Sequence, residues 1–174
     1  MQAVGPQYNR RFMHALFESL PPALLQACRA HYGRRLVSLA LFGSVGRGTA
    51  RPDSDVDVLI VAGPLPDGRV ARAEEFSAVE QALDPWMQTA RRAGLSPTFS
   101  PIFKTPAELA LGTPLLLDMV DDARVLVDDI GCLGQALQRV RARVEALGAR
   151  RIWMGSAWVW DLKPDYRPGD VFEL

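Results

Sequence analysis

Asp55 and Asp57 open the apolar run that ends at Ala62, and they are the residues of this chain whose type and spacing best suit chemistry. Successive strand side chains point to opposite faces, so the two carboxylates share one face about 7 Å apart while Val56 and Val58 face the other way. Two such charges repel unless a cation sits between them. Hard oxygen ligands favour Mg²⁺ or Mn²⁺, and Mg²⁺ is usually held by one or two carboxylates together with substrate phosphates.

The phosphate half of such a site lies just upstream. The apolar run Leu36 to Phe42 stops at Gly43-Ser44, and ten residues separate Ser44 from Asp55. Glycine lets the backbone approach a ligand closely, and Ser44 can cap a short helix whose free N–H groups favour a phosphate. Either half alone has a bland reading, as a plain turn or a solvated strand end. Their order, between two apolar strands, is far more specific.

Gly-Ser, a gap of about ten residues and Asp-x-Asp between strands together resemble the signature of the polymerase-β-like nucleotidyltransferases. Within that superfamily the chain is most similar to the minimal nucleotidyltransferases, small proteins often paired as antitoxins with a helical HEPN-type partner. Arg47 and Gly48 stand where that subgroup carries a basic residue and a glycine. The resemblance implies an α/β fold with a small mixed sheet and helices on one side. It implies transfer of a nucleoside monophosphate from ATP or another NTP to a hydroxyl, on a partner protein by analogy with AMP-transferring antitoxins. Asp55 and Asp57 would be catalytic and metal-binding, with Mg²⁺ or Mn²⁺, and Gly43, Ser44, Arg47 and Ser54 would bind the nucleotide.

The family commonly adds a third carboxylate from the next strand. No Asp or Glu occurs between Asp84 and Glu108, and the polar face of that strand offers only Ser96, Thr98 and Ser100. Three readings follow: a site complete with two carboxylates, a later acid such as Asp118 substituting, or a catalytically silent nucleotide-binding or toxin-masking module. A nucleotidyltransferase acting on a small, aminoglycoside-like molecule is the further alternative.

The positioning elements follow from periodicity and punctuation. Phe12, Ala15, Leu16 and Leu20 recur at helical spacing, and Pro21-Pro22 predicts the end of one helix and the start of another reaching about His31. Asp67 is placed to cap a long helix with the stripe Phe76, Val79, Leu83, Trp86 and Ala90, broken near residue 84 by Pro85 and ended by Gly94. Residues 96–103 read as a third strand, at a sheet edge because of Pro97 and Pro101. Thr105-Pro106 with Glu108 is a helix start. Val125 to Val127 reads as a short buried strand flanked by the acid pairs Asp121-Asp122 and Asp128-Asp129, taken as solvated caps.

A last helix, Leu133 to Leu147, carries an apolar stripe opposite an arginine-rich face, suited to its own core or to a partner helix. Arg151 to Trp160 then reads as a β-hairpin turning at Gly155-Ser156. Its three tryptophans exceed what a lone hairpin can bury, so they must pack on the body, on another molecule or on a nucleotide base. The expected division is a nucleotidyltransferase domain over 1–130 and the helix, hairpin and tail over 131–174.

The 174 residues carry 20 basic and 20 acidic side chains, so no general attraction to nucleic acid is expected. Cys28 and Cys132 form neither a disulfide framework nor a zinc pattern. No apolar run approaches the roughly 20 residues needed to span a bilayer, which fits a cytoplasmic protein without membrane contact, with NTP, a HEPN-type protein and a second copy in a homodimer as expected partners.

Overall fold

A computed structural model describes residues 10–154, 157–167 and 171. The N-terminal helix α1 (Arg10–Tyr32) leads into β1 (Leu36–Phe42), the single turn α2 (Gly43–Gly46) and β2 (Val56–Ala62). Then come α3 (Arg69–Ala82), α4 (Asp84–Arg92), β3 (Phe99–Lys104), α5 (Pro106–Ala110), α6 (Leu115–Met119) and β4 (Arg124–Asp128). The chain ends in α7 (Cys132–Ala146) and the hairpin strands β5 (Arg150–Met154) and β6 (Ala157–Asp161).

One four-stranded sheet in the order β3-β2-β1-β4 forms the centre. β1 pairs antiparallel with both β2 and β4, whereas β2 and β3 run parallel, so the sheet is mixed. β1 and β2 are near-continuous apolar runs because both their faces are buried. Leu39, Leu41, Val58 and Ile60 share one core with Leu20 and Leu24 of α1, Phe76 of α3 and Trp86 of α4. Ala40, Phe42, Leu59 and Val61 meet Leu109 of α5, Leu116 and Met119 of α6, and Leu133 of α7. Helices therefore cover both faces, not one as the resemblance suggested: the stretch from Pro106 to Ala146 supplies a second apolar layer that the strands require.

Several local expectations change. α1 runs unbroken through Pro21 and Pro22. An interior proline costs a helix about 3 kcal/mol or more, but the stripe Leu16, Leu20, Leu24, Ala27 stays in phase across the prolines and is buried throughout. That packing outweighs the local rule. The indole N–H of Trp86 donates to the Leu16 carbonyl at 3.1 Å, tying α4 to this stretch.

Asp67 does not cap α3, whose N-cap is Gly68 with φ 85°. Nor is β4 a buried strand: as the sheet edge it leaves Val125 43% exposed. The expected break at Pro85 separates α3 from α4, and Thr105 and Glu108 form a reciprocal capping box on α5. β3 is indeed an edge, where Arg72 donates to the Phe103 carbonyl and closes on Glu108 with two bonds of 2.8 and 2.9 Å.

Leu39 is fully buried at the centre of β1. Leu39→Ala should lower unfolding stability by about 2–5 kcal/mol in denaturant titration; a change under about 0.5 kcal/mol, typical of surface sites, would contradict the two-layer core.

Candidate active site

Gly43 and Asp57 meet where β1 ends beside the start of β2. Phe42 pairs with Asp57 across the ladder, and Gly43 follows with φ +62°, a conformation that disfavours any other residue. A Cβ at Gly43 would collide with Oδ2 of Asp57. The glycine thus has two jobs: it turns the chain into α2, and it leaves room for the carboxylate.

Asp57 lies on the sheet face of Leu59 and Val61, half-buried at its rim, with the more exposed Asp55 just before β2. Burial pushes the Asp57 carboxyl up from its ordinary range, and the neighbouring Asp55 charge pushes it further. Arg47 and a hydrogen bond from the Ser100 hydroxyl pull it partway back. Two carboxylates, one of them disfavoured in its charged form, are what a cation would relieve.

Ser100 is the β3 residue on the rung of Asp57. It is one of the three polar residues that the sequence offered on this strand in place of a third acid. Asp118 sits on α6, where burial raises its pKa, Arg151 lowers it and Asp122 raises it. Among the described residues, no group of three acid, histidine or cysteine side chains is placed to hold a metal.

The remaining sequence-predicted residues line one side of this centre. Ser44, Arg47 and Ser54 border a groove of about 480 Å³ together with Thr49, Arg51 and Trp153. Ser54 Oγ accepts the Arg51 N–H at 2.7 Å, so this serine also fixes the loop. A second groove, about 510 Å³, runs along β3 from Ser100 to Lys104, flanked by Arg69, Arg72 and Glu108.

Two residues escaped the sequence reading. Asp122, expected to be a solvated cap, is buried and takes Arg47 Nη1 on Oδ2 at 2.5 Å and Arg151 Nη1 on Oδ1 at 3.1 Å. Gly46 permits this, since a Cβ there would press on the Asp122 carbonyl at 2.5 Å. Arg151 also pairs with Asp121 at 3.7 Å and lies over the rings of Trp158 and Trp160, 4.3 and 5.2 Å from their centroids, so the hairpin is tied to the body through this one arginine. Its turn at Gly155-Ser156 falls outside the described residues.

A family model for the nucleotidyltransferase domain matches residues 22–90, from the middle of α1 into α4, and so spans Gly43, Ser44, Asp55 and Asp57. A protein of Methanocaldococcus jannaschii, MJ1305, provisionally named a protein adenylyltransferase, is 30% identical over 125 residues, or 71% of this chain and 80% of its own. The chain belongs to the nucleotidyltransferases. Solved structures described as a toxin–antitoxin with AMP-PNP and as the toxin–antitoxin MntA–HepT are 21% and 18% identical to it. They align with 72% and 74% of this nucleotidyltransferase and 93% of their own chains, with TM-scores of 0.47 and 0.43. No described helix is long and apolar enough to cross a membrane.

The raised Asp57 pKa carries a sign. Where the folded pKa exceeds the unfolded one, a carboxylate's contribution to stability is lost as pH rises through the folded pKa. Asp57→Asn should therefore melt at a higher temperature than the natural protein at pH 7 in metal chelator. The advantage should shrink as pH falls and vanish below the ordinary carboxylate range, where both side chains are neutral. Calorimetric scans from pH 3 to 7, roughly bracketing ordinary carboxylate titration, check this; a less stable Asp57→Asn at neutral pH would contradict it.

Proposed function

We propose that this nucleotidyltransferase transfers AMP from ATP to a hydroxyl of a protein, with Asp55 and Asp57 holding a divalent metal. The observation that carries the reading is the contact of Gly43 with Asp57, which brings a ligand-accessible backbone turn against a carboxylate that is costly to charge. The donor set fits Mg²⁺, which needs few protein ligands when substrate phosphates and water complete its octahedron. Such a metal neutralises charge on the transferring phosphoryl group and its leaving group.

The chain's own residues bind and orient. The open backbone at Gly43 and Ser44 receives the triphosphate, and Arg47 offers its guanidinium to the phosphates while Asp122 fixes its direction. The acceptor oxygen bonds to the α-phosphorus as the bond to the bridging oxygen breaks, pyrophosphate departs, and the hydroxyl proton passes to solvent. Adenylate as the group moved and protein as the acceptor are supported by the name of the relative MJ1305.

Calorimetric titration of Mg²⁺-ATP into the Asp55→Asn/Asp57→Asn double variant should show metal-dependent affinity lost, with the variant still folded. Equal affinity in variant and natural protein, with and without Mg²⁺, would sink the site assignment. Incubation with labelled ATP and candidate partner proteins, followed by mass spectrometry, should show an added AMP on a hydroxyl side chain. Label on a small amine-rich molecule instead would overturn the protein acceptor.

Ser100 bears on the chemical step. In two-metal transfer the third acid helps hold the metal that activates the attacking hydroxyl, so its lack should slow chemistry more than it weakens binding. Ser100→Asp, on the rung of Asp57, should raise the turnover of AMP transfer by about a hundredfold, the low end of the range for a single positioned catalytic group, with ATP affinity nearly unchanged. A lowered turnover would mean that two carboxylates and a serine already complete the site.

A further inference from the structure

We propose that the exposed indole of Trp153 is the platform on which the base of the bound nucleotide stacks, so that the C-terminal hairpin sets base affinity. This rests on the nucleotide reading of Gly43, Asp55 and Asp57. Trp153 is 58% exposed, an unusual setting for so large an apolar surface. It does not stand alone on an open surface, because it forms one wall of the groove that also holds Ser44, Arg47, Thr49, Arg51 and Ser54.

The lining selects the ligand. Apart from the indole, every side chain lining that groove ends in a hydroxyl or a guanidinium. An aliphatic side chain would leave the two guanidinium groups without a partner, whereas a planar heteroaromatic carrying an anionic chain would meet both the ring and the cations. Arg51 pairs with no carboxylate among the described residues, which leaves its charge available to such an anion. Ser44, which lines the groove, directly follows Gly43, whose absent Cβ makes room for the Asp57 carboxylate.

The indole is also held in place. Arg151, Trp153, Trp158 and Trp160 share one face of the hairpin, with Trp153 opposite Trp158 and Arg151 opposite Trp160. Arg151 is anchored to buried Asp122 and covered by the Trp158 and Trp160 rings, while Trp153 remains turned to the groove. One face thus divides its work: Arg151, covered by two indoles, ties the hairpin to the body, and the third indole stays open. Stacking of a base on an aromatic ring tolerates any base, and it grows with ring overlap, so purines should gain more than pyrimidines.

The test is calorimetry on the full chain with Mg²⁺, comparing ATP, CTP and inorganic tripolyphosphate, for the natural protein, Trp153→Ala and Trp153→Phe. ATP affinity should fall roughly ten- to hundredfold in Trp153→Ala, the range typical of a lost stacking contact, with a smaller fall for CTP. Tripolyphosphate, which has no base, should bind both proteins alike, which also reports an intact phosphate site. Trp153→Phe should recover most of the ATP affinity. Equal losses for ATP and tripolyphosphate, or no loss for either, would overturn the platform while leaving the nucleotide site standing. Failure of both ligands to bind the natural protein would instead bring down the nucleotide reading itself, and this inference with it.

Discussion

The missing side chain at Gly43 is the constraint around which this molecule is arranged. The space a Cβ would fill belongs to the Asp57 carboxylate, and the positive φ at Gly43 turns the backbone away from β1 at the point where a ligand can approach it. Neither condition can be met by alanine. The contact fixes the offset between the end of β1 and the start of β2, and with it the pairing of Phe42 with Asp57 that aligns the rest of the ladder.

Placing two carboxylates at the rim of a buried sheet works against folding, since burial and mutual repulsion both penalise the charged form of Asp57. The sheet compensates by being apolar where the site is not. β1 and β2 are enclosed by α1, α3 and α4 on one face and by α5, α6 and α7 on the other, and the one polar side chain buried within β1, Ser38, is bonded to Asp128 at the end away from Asp57. Local strain in a functional corner, tolerated because the surroundings over-determine it, is the general pattern of binding sites.

What could be read from the sequence follows the range of the interactions involved. Gly43, Asp55 and Asp57 declare themselves because a turn residue and an alternating acid pair are local grammar, and so do the Pro85 break and the Thr105 cap. Ser100 could be narrowed to a strand but not to a rung, because register across a parallel pair is set by contacts distant along the chain. The prolines of α1 misled for the opposite reason: the local rule was strong, but the apolar stripe on both sides of Pro21 and Pro22 was stronger. Asp122 gave no signal at all. Its partners lie 75 and 29 residues away, and an acid pair after an apolar helix looks the same whether solvated or buried.

That shared carboxylate has a practical consequence for anyone trimming this protein to a minimal enzyme. The natural cut falls after α7, where the sheet and its covering helices are complete. Such a cut removes Arg151 and leaves buried Asp122 with Arg47 as its sole guanidinium of the two. A buried charge that has lost one of its two partners draws harder on the other, so Arg47 would be held more tightly by the protein and offered less freely to a phosphate. The shortened chain would then fail at a residue it still contains, and its failure would look like a missing contact from the hairpin when the cause was a rebalanced ion pair.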